Sequence, residues 1–309
     1  MEPQNTLISV VIVTCGVKNY LSGCLESLQS QSHNCLEVIV IDNSLDSDFS
    51  ERIKEKFPWI KIYSSERNLY YCFSLNKGID LTSGEFVLCL NDDVFLDKDF
   101  IQQSLKGFFN ESIGMVSGKI LRRDGKTLDS TGLFLSLYRT SKERGYAKPD
   151  LGQFEEEGFV FGASGCAAFY RRRMLDAIKE GKDYFDTDLR MFYEDLDISW
   201  RANKNGWKAY YMPKAIAYHA RGGSFRPESG LDKPIARRYL NDQLYNDLIK
   251  NRYIVMLKNE RLPRMILYLI PIMLYELCLW GYTLFFRPQA IKMFIHNKKY
   301  FLRAVKKRS

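Results

Sequence analysis

Apolar residues come along this chain in short blocks that alternate with polar, helix-compatible stretches. Blocks near 8–14, 37–42, 60–63, 86–90 and 115–117 predict strands, and the periodicity near 18–31, 48–57, 72–81 and 99–109 predicts helices. Strand and helix in alternation make a βαβ series, hence a mostly parallel sheet. Right-handed crossovers then bring the carboxyl ends of the strands to one edge. Residues 86–90 are apolar without interruption, the mark of a strand covered on both faces. Residues 122–157 are polar and irregular and predict a long loop, after which the small-residue run from Gly162 to Cys166 resumes order. A further apolar strand, Ala215-Ile216-Ala217-Tyr218-His219, follows.

From about Asp242 the pattern changes. Residues 248–257 predict a helix, and 262–286 are strongly apolar. A membrane span needs about 20 apolar residues. The length qualifies, but Arg264, Pro271 and Glu276 interrupt it, and Glu276 is costly at a bilayer centre. Tyr268, Tyr275, Trp280 and Tyr282 are of the amphipathic aromatic type that favours interfaces. The segment predicts a helical pair lying on a membrane, or else an apolar hairpin packed on protein or in a dimer. A basic tail with Lys292, Lys298, Lys299, Arg303, Lys306, Lys307 and Arg308 adds about 1 kcal/mol per charge on an anionic leaflet. The expected division is a catalytic domain over 1–240 and a helical, membrane-associating region over 241–309.

Composition narrows the classes. With 309 residues, 46% of them hydrophobic, the chain supports one large α/β domain and an appendage. The net charge of +8 raises nucleic acid as a partner, but the basic residues are spread, with Arg171-Arg172-Arg173 the one tight internal cluster and no nucleic-acid motif beside it. No nucleic-acid partner is expected. Seven cysteines without CxxC spacing predict reduced thiols. A short polar start running into a core strand predicts no secretory signal, and so a protein facing the cytosol.

Chemistry concentrates in two acidic elements. Asn91-Asp92-Asp93 follows the buried strand directly, where open α/β sheets bind ligands. Hard oxygen ligands there suit Mg²⁺ or Mn²⁺ bridging phosphates, while a capping turn toward Phe100 accounts for the same acids equally well. In Tyr193-Glu194-Asp195-Leu196-Asp197 three acids fall within four positions at a helix start. The helix dipole alone favours such acids, and capping suits Asp197. Glu194 and Asp195, paired in a pocket, are suited to accept a proton from a hydroxyl. His219 ends its strand at the same edge, as a ligand or as a structural histidine.

In this order the elements resemble family 2 glycosyltransferases of the GT-A fold, especially rhamnosyltransferase-like members that build lipid-linked polysaccharides. The likeness rests on the strand Ile8-Ser9-Val10-Val11-Ile12-Val13-Thr14-Cys15, the helix from Leu21 to Gln31, and Val38-Ile39-Val40-Ile41-Asp42-Asn43. It continues through Asn91-Asp92-Asp93 as a variant DXD motif, Phe185-Asp186 with Glu194-Asp195, and Tyr211-Met212-Pro213 with His219. The resemblance implies a single Rossmann-like domain and inverting, metal-dependent transfer of a sugar, L-rhamnose from dTDP-rhamnose or a hexose from a UDP donor. It implies Asp93 and His219 on Mg²⁺ or Mn²⁺, and Thr14, Cys15, Asp42, Asn43, Asn68, Asn76, Asn91, Asp92 and Gly165 around the nucleotide sugar. Asp195 would be the base, with Glu194 tuning it. The implied acceptor is a polyprenyl-diphosphate-linked saccharide at the cytoplasmic face of the plasma membrane, with a homodimer as one assembly.

Two departures stand out. Asn91 replaces an acid common in the family, and Leu69-Tyr70-Tyr71-Cys72-Phe73 replaces glycines after Asn68. Phe73 is expected to pack inside. A sugar nucleotidyltransferase would need a glycine- and lysine-rich loop where Thr14-Cys15-Gly16-Val17-Lys18 has one of each. An inert carbohydrate-binding or scaffold subunit is the alternative outside enzymes.

Overall fold

A computed structural model describes residues 6–16, 20–221 and 240–308; Val17 and Lys18, named above, lie outside them, as does the link between the two expected regions. The elements in order are β1 (Ile8–Thr14), α1 (Tyr20–Gln29), β2 (Leu36–Asp42), α2 (Ser47–Lys56), β3 (Lys61–Ser64), α3 (Tyr71–Asp80), β4 (Phe86–Asn91), β5 (Val94–Leu96), α4 (Phe100–Lys106) and β6 (Ile113–Arg122). They continue with β7 (Leu128–Ser130), β8 (Leu133–Leu135), β9 (Ser141–Glu143), β10 (Gly158–Val160), β11 (Ala167–Arg171), α5 (Arg172–Ile178), α6 (Glu194–Lys204) and β12 (Lys208–His219). The carboxyl-terminal helices are α7 (Asp242–Asn259), α8 (Leu262–Leu267), α9 (Leu269–Phe286), α10 (Pro288–Ile295) and α11 (Lys298–Lys306).

The main sheet runs in the order β10-β12-β6-β11-β4-β1-β2-β3. Its long strands are mostly parallel, with β1 paired in that sense to β2 and β4, β2 to β3, and β6 to β12. Only β11 reverses direction in the centre, between β4 and β6. All seven residues of β1 are buried, because helices cover both faces. One apolar cluster joins Ile8, Val10 and Ile12 of β1 to Leu21 and Leu25 of α1; a second joins Val11 and Val13 to Leu75 of α3 and Leu196 of α6. Gly78 lets α3 lie against β1, since a Cβ there would sit 2.3 Å from Val11 Cγ1.

Two expectations about packing need correction. Phe73 is 45% exposed, because Cys72, Leu75 and Ile79 take the inward face of α3 and leave it outside. Residues 122–157 are not a bare loop. They carry β7 on the edge of β6, the β8–β9 hairpin and the approach to β10, and they bury Asp129, Ser130 and Thr131.

Among the described residues α9 is the one helix long and apolar enough to cross a membrane by length and composition, with a mean hydropathy of 1.6 and 17% of it buried. Its Glu276 does not face outward. Arg252 Nε of α7 donates to its carboxylate at 2.8 Å, and the Tyr253 hydroxyl donates to its other oxygen.

Candidate active site

The parallel register sets Thr14 beside Asp42 and Val13 beside Asn91, so β1, β2 and β4 end together. Thr14 Oγ1 donates to Asp92 Oδ2 at 2.6 Å, linking two strand ends. Burial, with Asp93 adjacent, pushes the Asp92 carboxyl up to about 6 despite that bond. Cys15 is exposed just beyond β1. Asp42 accepts from Ser44 N at 2.7 Å and from the Ser50 hydroxyl at 2.5 Å. Asn43 donates to Ser74 Oγ at 2.9 Å and accepts from Leu69 N at 3.2 Å, which draws the segment carrying exposed Asn68 to this edge. Asn76 is not brought there. Its amide is spent on both backbone groups of Phe185, at 2.8 Å each, behind the acidic helix.

β12 delivers His219 to the same edge. Its Nε2 lies 3.2 Å from Asp93 Oδ1 and its Nδ1 lies 2.8 Å from Asp129 Oδ2. Burial opposes the imidazolium, but Asp93 and then Cys166 and Asp129 outweigh it and hold the His219 pKa well above the ordinary value. Burial also pushes the Asp129 carboxyl up, yet the bonds from His219 and Arg221 prevail and keep it well below the usual range. Asp129, Cys166 and His219 place ligand atoms within 4.8 Å of one another. The Asp93 carboxylate, a donor suited to Mg²⁺ or Mn²⁺, lies beside the His219 imidazole, so this pair fits a divalent ion. Asp129 orients the imidazole by its second nitrogen, as outer partners of metal-bound histidines do.

Glu194 and Asp195 open α6. They are half-buried in a cavity of about 290 Å³, walled by Thr140 and Lys142 of the 133–143 hairpin, Tyr193, Leu248 of α7 and Tyr275 of α9. Glu194 Oε2 is enclosed with no hydrogen-bond partner among the described residues. Burial, and Asp195 beside it, push the Glu194 carboxyl up to about 8. Asp195 is raised by burial too, although Leu196 N at 2.7 Å and the Gly165 N–H favour its charged form. Gly165 is small for a reason: a Cβ would lie 3.3 Å from Asp195 Cβ and 3.4 Å from Glu194 Oε1. Tyr71 joins the two halves, its hydroxyl donating to Asn91 Oδ1 at 2.8 Å and approaching Gly165 O at 3.3 Å.

The strand-end segment and the acid pair are thus linked at one edge of the sheet through Asn91, Tyr71 and Gly165. The sequence profile described as Glycosyl transferase family 2 matches residues 9–179, more than half of the chain. The chain belongs to glycosyl transferase family 2. Glycosyltransferase GlyA of Streptococcus pneumoniae serotype 4 is 23% identical over 237 residues, 70% of this chain and 31% of that protein. Poly-beta-1,6-N-acetyl-D-glucosamine synthase of Staphylococcus epidermidis is 25% identical over 218 residues, 68% of this chain and 49% of that one. This chain spans between about a third and a half of the lengths of these curated relatives. Among solved structures, GalNAc-T7 with UDP, GalNAc and Mn²⁺ superposes with a TM-score of 0.61 at 16% identity, over 81% of this chain and 48% of that one. That likeness shows a shared GT-A fold.

Residues 122–157 hold what the sequence reading missed. Asp129 and Glu143 each bury a carboxyl beside the site, and Glu143 is bonded by Ser130 and, at 2.9 Å, by Ser164. Burial, with Asp195 and Asp129 near, pushes Glu143 up to about 8. The signal available was Leu128-Asp129-Ser130, an acid between residues suited to an edge strand.

Proposed function

We propose that this family 2 glycosyltransferase moves a sugar from a nucleoside diphosphate to a hydroxyl of a lipid-linked saccharide, inverting the anomeric carbon, in making a bacterial cell-surface polysaccharide. The observation that carries the reading is the Glu194–Asp195 pair, half-buried in a cavity beside the strand-end acids and in no ion pair among the described residues. Asp93 and His219 would hold Mg²⁺ or Mn²⁺, which when bound neutralises charge on the departing diphosphate. Asn91 and Asp92 orient the ribose or donor sugar, and Thr14, Cys15, Asp42, Asn43 and Asn68 form the side facing the nucleotide. Asn76 acts behind them, on the segment before the acidic helix. With its carboxyl pushed up to about 8, Glu194 stays protonated at neutral pH, while the Leu196 and Gly165 N–H groups favour the charged form of Asp195, the group set to take the acceptor's proton. As the hydroxyl oxygen bonds to the anomeric carbon, the bond to the diphosphate oxygen breaks and the proton passes to Asp195.

UDP and Mn²⁺ in the GalNAc-T7 structure, and the N-acetylglucosamine polymer named for the staphylococcal relative, support a UDP-hexosamine donor; the rhamnosyltransferase resemblance supports dTDP-rhamnose. Tyr275 of α9 lines the acid cavity while Ile270, Leu277 and Phe285 of the same helix are exposed, so a lipid carrier lying along α9 leads into the site. Residues 1–240 would then carry the catalytic groups and 241–309 the membrane-associating helices, at the cytoplasmic face, with α7 and α9 also walling the acid cavity. Calorimetry and thermal shift with Mn²⁺ and UDP, dTDP or GDP test the reading. Stabilisation by one metal–nucleotide pair, lost in Asp93→Ala, is the expected result. A folded sample stabilised by none of them points to a scaffold subunit instead.

A further inference from the structure

The loop that delivers the acid pair is in a backbone conformation L-residues rarely hold: φ is +61° at Arg190, +71° at Phe192 and +68° at Tyr193. Such a run persists only where its surroundings fix it. The fixing group comes from α7. Asn251 is fully buried, and its Nδ2 donates to Leu189 O at 2.7 Å, Met191 O at 2.7 Å and Phe192 O at 2.9 Å. An amide nitrogen has two N–H groups, so three carbonyls at these distances share them. Its Oδ1 has no partner among the described residues, so all of this amide's bonding is spent on the loop. From the other side Cys72 N holds Arg190 O at 2.8 Å. Leu248, nearly one turn earlier on α7, walls the acid cavity.

We propose that Asn251 is a positioning residue, a latch by which the carboxyl-terminal region holds the 189–193 loop in the shape that presents Glu194 and Asp195 to the acceptor. The proposal rests on Asp195 being the base, and it makes α7 part of the catalytic unit. The latch is tested by hydrogen–deuterium exchange on the full chain. Asn251→Leu, of similar size without the donors, raises exchange across 187–193 at least tenfold while β1 and β4 keep their protection. UDP·Mn²⁺ affinity stays within twofold, and kcat with UDP-GlcNAc as first probe falls about a hundredfold at unchanged KM. Asn251→Ser, which keeps one donor, gives an intermediate loop and serves if the Leu variant does not fold. Unchanged exchange in both variants overturns the latch, and so does a loosened loop with full turnover. Loosening seen together with full turnover in Asp195→Asn would sink the base assignment and leave the latch standing.

Discussion

Asp195 and Asp197 stand two positions apart on α6 and meet opposite electrostatic fates. Asp197 is fully buried and surrounded by donors: Arg201 Nε at 2.9 Å, Asn259 Nδ2 at 2.9 Å and Lys258 Nζ at 3.2 Å. Lys258 also reaches Asp186 at 2.7 Å and Glu180 at 2.8 Å. Burial pushes the carboxyls of Asp197 and Asp186 up, but Lys258 first, then Arg201 for the one and Lys307 for the other, pull both below the ordinary range. Asp195 and Glu194 form no ion pair among the described residues, and burial raises both. A buried acid is therefore not by itself a sign of chemistry. What separates the two clusters is the ion pair, made where acids join α7 to α6 and, among the described residues, not made by Glu194 or Asp195, although Lys142 lines the same cavity.

The largest effect expected from breaking this contrast is structural. Lys258→Met leaves Asp186 and Asp197 buried with less compensation and costs about 3–5 kcal/mol, a fall of roughly 10 °C in the thermal midpoint. Scanning calorimetry checks it. Next comes the pH dependence. Carboxyls raised in the fold bind protons that the unfolded chain has released, so Glu194 and Glu143 at about 8 and Asp92 at about 6 make stability fall as pH rises from about 5 to 8. Asp186 and Asp197, lowered in the fold, act the other way: their contribution is present above the unfolded carboxylate range and is lost as pH falls below it. Glu194→Gln should flatten the alkaline side, adding about 1–2 kcal/mol at pH 8 and little at pH 5, while turnover drops about tenfold. A midpoint that responds equally at both pH values contradicts the raised carboxyl. The smallest effect belongs to the bridge: Tyr71→Phe loses about 1 kcal/mol and shifts KM for the donor more than it shifts the midpoint, since Asn91 loses its donor.

The sequence made the first half of the sheet readable because its information is local. Ahead of their last residues β1, β2 and β4 are apolar except at Ser9 and Glu37, and Thr14, Asp42 and Asn91 sit at their ends by adjacency alone. Asn91-Asp92-Asp93 and Glu194-Asp195 could be picked out the same way. The partners of those groups could not. Asp129 lies 90 residues from His219 in the chain, and Lys258 lies 61 from Asp197, so their pairing exists only after packing. β7 to β10 are three residues each, too short for a period to show in a polar stretch. Asn251 lies in a polar stretch of α7, Lys250-Asn251-Arg252, that is buried nearly to the atom; nothing in its residue types announces that the helix is enclosed.

The contrast between the two clusters is tested most directly by placing Asp195→Asn beside Asp197→Asn and measuring turnover and thermal midpoint for both. The account predicts that Asp195→Asn loses at least a thousandfold in kcat with its midpoint unchanged or raised, while Asp197→Asn drops its midpoint by about 5–10 °C, leaving Lys258 and Arg201 undercompensated. An Asp195→Asn protein that turns over at the parental rate would contradict it.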